Sequence, residues 1–516
     1  MKNTSINERD ISAIVSAHSS LWPRAAFASL RSSFTTANLV GLVGGCLALF
    51  LLLVLHEPWD ISIPLYLTML VWTILRPRVA LYLMAFAVPW GSLDYIDIKG
   101  LRLNSADLLV AFLAVGWLLS FALRRTNLAK DGYPHHSGPL DRESSTIPGY
   151  LTLATLALLT SMLLSMTVAT NIAASLKEIS KWLEFLLLLL LGAPYLRTRR
   201  QLWSIIILIC LAGITQAVFG YFQAFFNLGP VAFVRDTSLR IYGTFGQPNP
   251  YAGYINIPLS IAAALMLLGS NWKTRILAGL TVILLAVAEY LTQSRGGEIA
   301  IAAALLFIVA VGTPRLSMTV RLFAMAGLAA VEAFLVGLIP IYLFNPVFRA
   351  LGLIDLVLAA PTKQNFSTAE RLAHWIAGLR MFFAHPILGV GIGNYADAYP
   401  HYFVTIFMDP LGHAHNYYIN IAAETGSIGL IAYLLFLLAT FVAGGRAYQH
   451  ISRMQAPQKI VQMLRNDRAL AIGLLAALIS VCVHNIFDNL YIHSLTNLIA
   501  LLLIVLIRLE GVASQK

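Results

Sequence analysis

Apolar runs close to the twenty or so residues that a helix needs to cross about 30 Å of hydrocarbon recur along nearly the whole of this 516-residue chain. A backbone placed in hydrocarbon must satisfy its own polar groups, which for runs of this length means helix. About fourteen such runs are found, at approximately 37–55, 61–75, 79–93, 106–123, 149–169, 178–196, 202–222, 252–269, 276–292, 297–312, 323–344, 426–444, 469–487 and 495–509. The runs at 61–75, 79–93 and 495–509 are short for a full crossing, so the expectation is an all-α polytopic membrane protein with about 12–14 transmembrane helices. Met1 to Thr36 is polar and has no separate apolar core before the first run, so no cleavable signal peptide is expected.

Composition agrees and excludes other classes. Charged residues make up 11% and hydrophobic residues 58%, where a soluble globular chain carries roughly a quarter charged. Mean hydropathy is +0.75. This is too much apolar surface for a water-facing enzyme and too little charge for a disordered chain. Cys46, Cys210 and Cys482 each sit inside an apolar stretch and read as small hydrophobes rather than a disulfide framework.

The net charge of +11 suggests nucleic acid only if it forms an exposed basic patch. With both termini placed in the cytoplasm, just eleven of the 35 Lys and Arg fall outside: Lys99, Arg102, Lys177, Lys181, Arg235, Arg240, Arg295, Arg349, Lys363, Arg371 and Arg380. The remaining positive charge is an insertion signal spread over short loops, and no nucleic-acid partner is expected.

Four regions follow: a cytoplasmic segment at 1–36, N-terminal transmembrane helices at 37–222, a core at 223–490 with a large external loop at 345–416, and a last helix with a cytoplasmic tail at 491–516. The loop at 124–148, rich in His, Ser, Pro and Gly, reads as a flexible linker. Within the large loop, ERLAHWIAGLRMFF puts Leu372, Trp375, Ile376, Leu379, Phe382 and Phe383 on one side of a helix, as a helix lying in the membrane interface would.

The candidate chemistry gathers on the outer face. His413-Ala-His415-Asn416 precedes Gly426-Ser-Ile-Gly429. A helix beginning near Asn416 would use that side chain as its N-cap, and Gly426 and Gly429 would let a neighbouring helix approach closely. His415 is then a general-base candidate, against the common case of a structural hydrogen-bonding histidine. The HxH spacing also raises a metal, with Asp409 or His401 as further donors, but metal: none is the expectation. Arg295 in QSRGG and Arg371 in the amphipathic segment could each grip a phosphate bidentately or pair with Glu298 and Glu370. Arg240 and Asn249 flank a turn, YGTFGQPN, that could shape a pocket. The GVGIG run resembles a phosphate loop only superficially, since no strand precedes it. Glu184, Glu289 and Glu332 lie inside apolar runs without a nameable partner.

Taken together, GTFGQPNPYAGY, QSRGG opening a span, Arg371 followed by HPILGVGIGNY, and His415-Asn416-x9-Gly426-x2-Gly429-Leu430 resemble the O-antigen ligase and O-antigen polymerase superfamily of bacterial envelope polysaccharide glycosyltransferases, over roughly residues 200–490. The resemblance implies a GT-C-like fold with short amphipathic helices in a large periplasmic loop. It implies a multi-pass protein of the bacterial inner membrane that moves a glycan from undecaprenyl diphosphate to an acceptor hydroxyl on the periplasmic side. It further implies an inverting reaction needing neither metal nor cofactor. By position, His415 matches the family's proposed catalytic histidine, and Arg295 and Arg371 match arginines proposed to hold the donor diphosphate. His413, Asn416, Arg240 and Asn249 would support them, while His484 and Asp488 fall where the family often has a polar pair, without an assigned role. The implied partners are the undecaprenyl-diphosphate-linked glycan donor, a lipid A-core or glycan acceptor, and membrane lipids. An O-antigen or exopolysaccharide polymerase is the nearest alternative. A glycan-lipid flippase or transporter is another, though it would place its polar residues at midplane in broken helices.

Overall fold

The computed structural model describes residues 40–48, 59–91, 93, 96–98, 101–125, 147–235, 238–313, 317–319, 322, 326, 366–404, 406–454 and 458–514. The 1–36 segment, most of the linker at 124–148, Glu332, nearly all of the span expected at 323–344 and the first part of the large loop lie outside them. In chain order the helices are α1 (Trp59–Leu75), α2 (Pro77–Trp90), α3 (Ser105–Arg125), α4 (Gly149–Met166), α5 (Ile172–Gly192), α6 (Arg199–Phe226), α7 (Pro248–Leu268), α8 (Trp272–Thr292), α9 (Arg295–Gly312), α10 (Phe366–Ala384), α11 (Tyr395–Ala398), α12 (Tyr417–Arg453), α13 (Gln458–His484) and α14 (Leu495–Ser514). Strand is confined to two short antiparallel hairpins among the described residues, β1 (Ile96–Ile98) with β2 (Leu101–Leu103) and β3 (Val234–Arg235) with β4 (Ser238–Leu239). The protein is an all-α polytopic membrane protein.

Nine helices among the described residues are long and apolar enough to cross a membrane: α3, α4, α6, α7, α8, α9, α12, α13 and α14. The stretch at 495–509, short by sequence, is a 20-residue helix. Helix α5 has the length, yet Lys177, Glu178, Lys181 and Glu184 keep it from being a simple apolar span. Lys181 donates to Glu178 at 2.6 Å and to the Tyr491 carbonyl at 2.9 Å, and Glu184 accepts from Asn497 at 3.0 Å, so these charges are paired inside the bundle.

Where every helix is apolar all round, small residues rather than hydrophobicity mark the faces that meet protein. Helix α7 packs on α8, α9 and α13. A Cβ at Gly473 of α13 would stand 3.0 Å from the Ala264 side chain and the Ile261 backbone of α7, so those helices touch almost backbone to backbone. A second knot is aromatic: Trp182 of α5 has the Phe436 ring at 5.2 Å and the Tyr491 ring at 5.1 Å.

Helix α12 begins one residue after Asn416, whose side chain accepts from the amides of Tyr418 (3.0 Å) and Ile419 (3.1 Å), so the expected N-cap is present. The helix then breaks at Gly426, with φ 64° and ψ −162°, a region open only to glycine. The rings of Tyr417 and Tyr433 lie 5.0 Å apart, whereas sixteen residues of straight helix would separate them by about 24 Å. Residues 417–425 therefore fold back across one end of the bundle. The neighbour that needs Gly426 bare is not a helix, as the spacing suggested, but the HPILG turn after α10: a Cβ there would run into the Ile387 backbone. Gly429 faces its own preceding turn, against Thr425.

The break frees two carbonyls and an amide of α12, and the turn pairs with all three. Val390 N–H donates to the Ala423 carbonyl at 3.0 Å, Gly391 N–H to the Glu424 carbonyl at 3.0 Å, and Ser427 N–H to the Pro386 carbonyl at 2.8 Å. Gly389 (φ 67°) and Gly391 (φ 104°) are glycine because the turn runs backbone on backbone, against Glu424 and Ala169. Gly426→Ala is expected to lower the melting temperature of the purified protein by several degrees, because alanine cannot take this φ/ψ and would displace the turn; differential scanning fluorimetry in detergent, with Gly445→Ala in open space as the control, would show it.

Candidate functional site

The fold-back of α12 carries the HxHN segment over the turn that follows α13. Tyr417 N–H donates to the Asn485 carbonyl at 2.8 Å, so the first residue of α12 is fastened to that turn. Asp488 lies three residues further along and is almost fully buried. His413 Nε2 is 2.8 Å from Asp488 Oδ1, and His415 Nδ1 is 3.5 Å from the same oxygen. On the other side, Asn249 Nδ2 donates to Asp488 Oδ2 at 2.7 Å, and Asn489 N–H donates to Oδ1 at 2.8 Å. Arg240 in turn donates to Asn249 Oδ1 at 3.1 Å and to the Thr292 carbonyl at 2.9 Å. Three segments distant in sequence, the HxHN stretch, the start of α7 and the turn after α13, meet at one carboxylate.

Helix α10 closes the site. His374, fully buried, has its ring 5.6 Å from that of His415, and Trp375 Nε1 donates to the His415 carbonyl at 3.1 Å. That bond holds His415 in a left-handed conformation, φ 51°. The buried face of α10 is Ala369, Ala373, His374, Ala377 and Met381, while Leu379 and Phe383 are exposed and Leu372, Trp375, Ile376 and Phe382 half-buried. The bulky apolar side read from the sequence is thus the less buried one.

Burial and charge set the protonation states. Burial alone would push the Asp488 carboxyl up, but hydrogen bonds and charge from His413 and His415 hold it well below the usual carboxylate range. Burial lowers His415 from its ordinary 6.5, against the raising effect of Asp488, and the charges of His413 and Arg371 lower it further. His374 is brought down to about 4, first by burial and then by His415 and His413. Near pH 7 the arrangement has an ionised Asp488 beside a neutral His415, with a neutral His374 behind it. An ionised Asp488 only accepts; His415 Nδ1, 3.5 Å from Oδ1, makes no hydrogen bond among the described residues, so the carboxylate favours the tautomer with the proton on Nδ1 by charge rather than by a formed bond.

Every supporting residue expected from sequence enters this cluster: His413 and Asn249 on Asp488, Arg240 behind Asn249, Asn416 as the cap beneath His415. Arg371, half-buried on α10, is close enough to act on His415. Arg295 opens α9 with an exposed side chain; its neighbour Gly296 lies against the 484–487 turn, where a Cβ would be 3.0 Å from Phe487 Cβ and 3.3 Å from His484. Asp488, the hub, had been given no role. His413, His415 and Asp488 also present three donor atoms within 4.8 Å of one another, a set that could take a divalent ion. Its third member is Asp488, in place of the Asp409 or His401 that spacing suggested.

Bundle and site together define a polytopic helical membrane protein with a buried histidine–carboxylate centre at one end. Residues 280–434 match the family model described as O-antigen ligase, so this segment is similar to that family. It spans α8 to the middle of α12 and includes Arg295, Arg371, His413 and His415; Asp488, Asn249 and Arg240 join by geometry alone. Comparison with curated proteins gives no match. The family supports a membrane glycosyltransferase-type activity in O-antigen assembly, working between a lipid-linked glycan donor and a glycan acceptor.

Asn249→Ala removes the donor to a buried carboxylate oxygen and leaves Arg240 without that acceptor. A loss of about 1–3 kcal/mol is expected, seen as a lower melting temperature of the purified protein.

Proposed function

We propose that the protein transfers a glycan from undecaprenyl diphosphate to an acceptor hydroxyl at the His415 end of the bundle, as an O-antigen ligase does, with lipid A-core as acceptor. In this reading the site faces the periplasm, both termini are cytoplasmic, the protein resides in the inner membrane, and residues 223–490 form the catalytic core. The carrying observation is a half-buried His415 whose Nδ1 is 3.5 Å from the ionised Asp488, with Arg371 near enough for its charge to act on the ring.

The acceptor O–H gives its proton to His415 Nε2 as its oxygen attacks C1 of the donor sugar. The C1–O bond to the diphosphate breaks, and undecaprenyl diphosphate leaves with the electron pair. Attack opposite to the leaving group inverts the anomeric carbon. Asp488 holds the imidazole in the competent tautomer and stabilises the imidazolium that forms. Arg371 and Arg295 offset the charge growing on the diphosphate, a task that needs no divalent ion when fixed cations are already in place. In a polymerase the acceptor would be another lipid-linked chain; the deletion strain separates them, since loss of a ligase leaves bare core while polymer persists on carrier lipid.

In proteoliposomes supplied with donor and acceptor on the side of His415, His415→Ala is expected to lower kcat at least about 10²-fold, and Arg371→Ala to weaken donor binding. Activity is expected to persist in excess chelator. Undiminished transfer by His415→Ala would end the base assignment, and loss of transfer in chelator would transfer the three-donor cluster to a metal.

The pH dependence follows from the direction of the His415 shift. Burial disfavours the imidazolium, so the base is free above a pKa lying below 6.5. kcat/KM should rise from acid through a midpoint below 6.5 and be flat at neutrality. Asp488→Asn removes the charge that raises His415, so the midpoint should move further toward acid while kcat drops by about 10² or more.

A further inference from the structure

A cavity of about 600 Å³ opens beside the HPILG turn, away from the histidine–carboxylate centre. Its rim begins where α10 ends, thirteen residues beyond Arg371, or about 20 Å along the helix. Three separate segments wall it: 168–170 after α4, the 384–390 turn, and 397–402 at α11. The wall is fixed in place, because the turn is bonded to the carbonyls of the α12 break and Asn394 ties α11 to the cap of α5, its Oδ1 accepting from Asn171 N–H at 2.6 Å and its Nδ2 donating to Ser175 at 3.0 Å.

The lining defines the ligand. Thr170, His385, His401 and Tyr402 supply hydroxyl and imidazole groups that can donate or accept, and Asp397 a carboxylate that accepts, set among apolar patches from Val168, Ile387 and Val390. His385 Nε2 and the Tyr402 hydroxyl are 3.1 Å apart, while Asp397 Oδ2 accepts from Asn171 at 3.3 Å. His401 is exposed and makes no hydrogen bond among the described residues. Among the described residues no Lys or Arg lines the cavity; Arg380, nearby, spends its guanidinium on the carbonyls of Tyr402 and Phe403. Hydroxyls, imidazoles and an accepting carboxylate among C–H-binding surfaces, with no cation among the described lining residues, suit a neutral polyhydroxylated ligand and not a diphosphate.

We propose that this cavity is a saccharide subsite, holding a neutral stretch of glycan remote from the reacting end while the diphosphate lies near Arg371. The proposal rests on the glycosyltransferase reading above. It gives the enzyme a hold on glycan that the residues of the reaction centre do not supply, so chain recognition and chemistry are separable. The same chemistry could come from the distal sugars of the donor or from the acceptor glycan.

The test uses the full chain in nanodiscs. Tyr402→Phe, Asp397→Asn and a plug, Ala398→Trp, are expected to raise KM for one substrate about tenfold, the scale of one or two lost polar contacts, with kcat within about twofold of wild type. A rise for donor alone assigns the subsite to the donor chain, and a rise for acceptor alone to the acceptor. In parallel, saturation-transfer NMR on His415→Ala protein with lipid-free oligosaccharide released from donor, and with lipid-free acceptor oligosaccharide, should show contact that Ala398→Trp abolishes. Unchanged KM for both substrates in a plug variant of wild-type melting temperature, with undiminished saturation transfer, would overturn the subsite while leaving the enzyme reading intact. Wild-type protein that transfers no glycan would overturn the enzyme reading instead.

Discussion

The carbonyls freed at Gly426 and the amides that claim them govern the geometry of the rest. Without the bonds from Val390, Gly391 and Ser427, the break would leave polar backbone unsatisfied at the edge of a membrane bundle, where each such group costs several kcal/mol. With them, a single long helix becomes a membrane span and a short arm lying across its end. The arm brings Asn416 and the two histidines to the turn after α13, and Ser165 of α4 seals it by donating to the Glu424 carbonyl at 2.6 Å. The placement of the two histidines is thus decided at Gly426, eleven residues beyond His415 and thirteen beyond His413.

Asp488 has a complementary part. A buried carboxylate persists only if its oxygens are filled, and here both are, by His413 and Asn489 on one and Asn249 on the other. The two imidazoles consequently have a fixed anion to orient against. Arg240 extends the same shell outward through Asn249, as outer hydrogen bonds fix the orientation of the groups they support.

The bundle was legible because hydropathy is a one-dimensional property, and the spans at 149–169, 202–222 and 276–292 correspond to α4, α6 and α8. Asn416 as a cap was legible for a similar reason, since capping is local. Helix α12 was not: an apolar run starting at 426 marks where the span enters hydrocarbon, while the helix starts at 417 and its break depends on a turn forty residues earlier. Asp488 escaped because its importance lies in convergence of α7, α13 and the HxHN segment, which no spacing encodes. A signal was present in the density of polar residues in VHNIFDNLY, within a chain so poor in them. Asn394, buried and bonded to the cap of α5, gave no sequence sign beyond following a glycine run.

The indole of Trp375 hangs on the carbonyl of His415 while Arg371 stands one turn earlier on the same helix. A helix is stiff over so short a span, so the guanidinium and the imidazole's backbone ride on one lever. Any ligand that tugs α10 through Arg371 also tugs the histidine. In the proposed reaction, anchoring of one reactant and alignment of the proton acceptor would therefore be mechanically one event, and a protein with the first out of register would have the second out of register too.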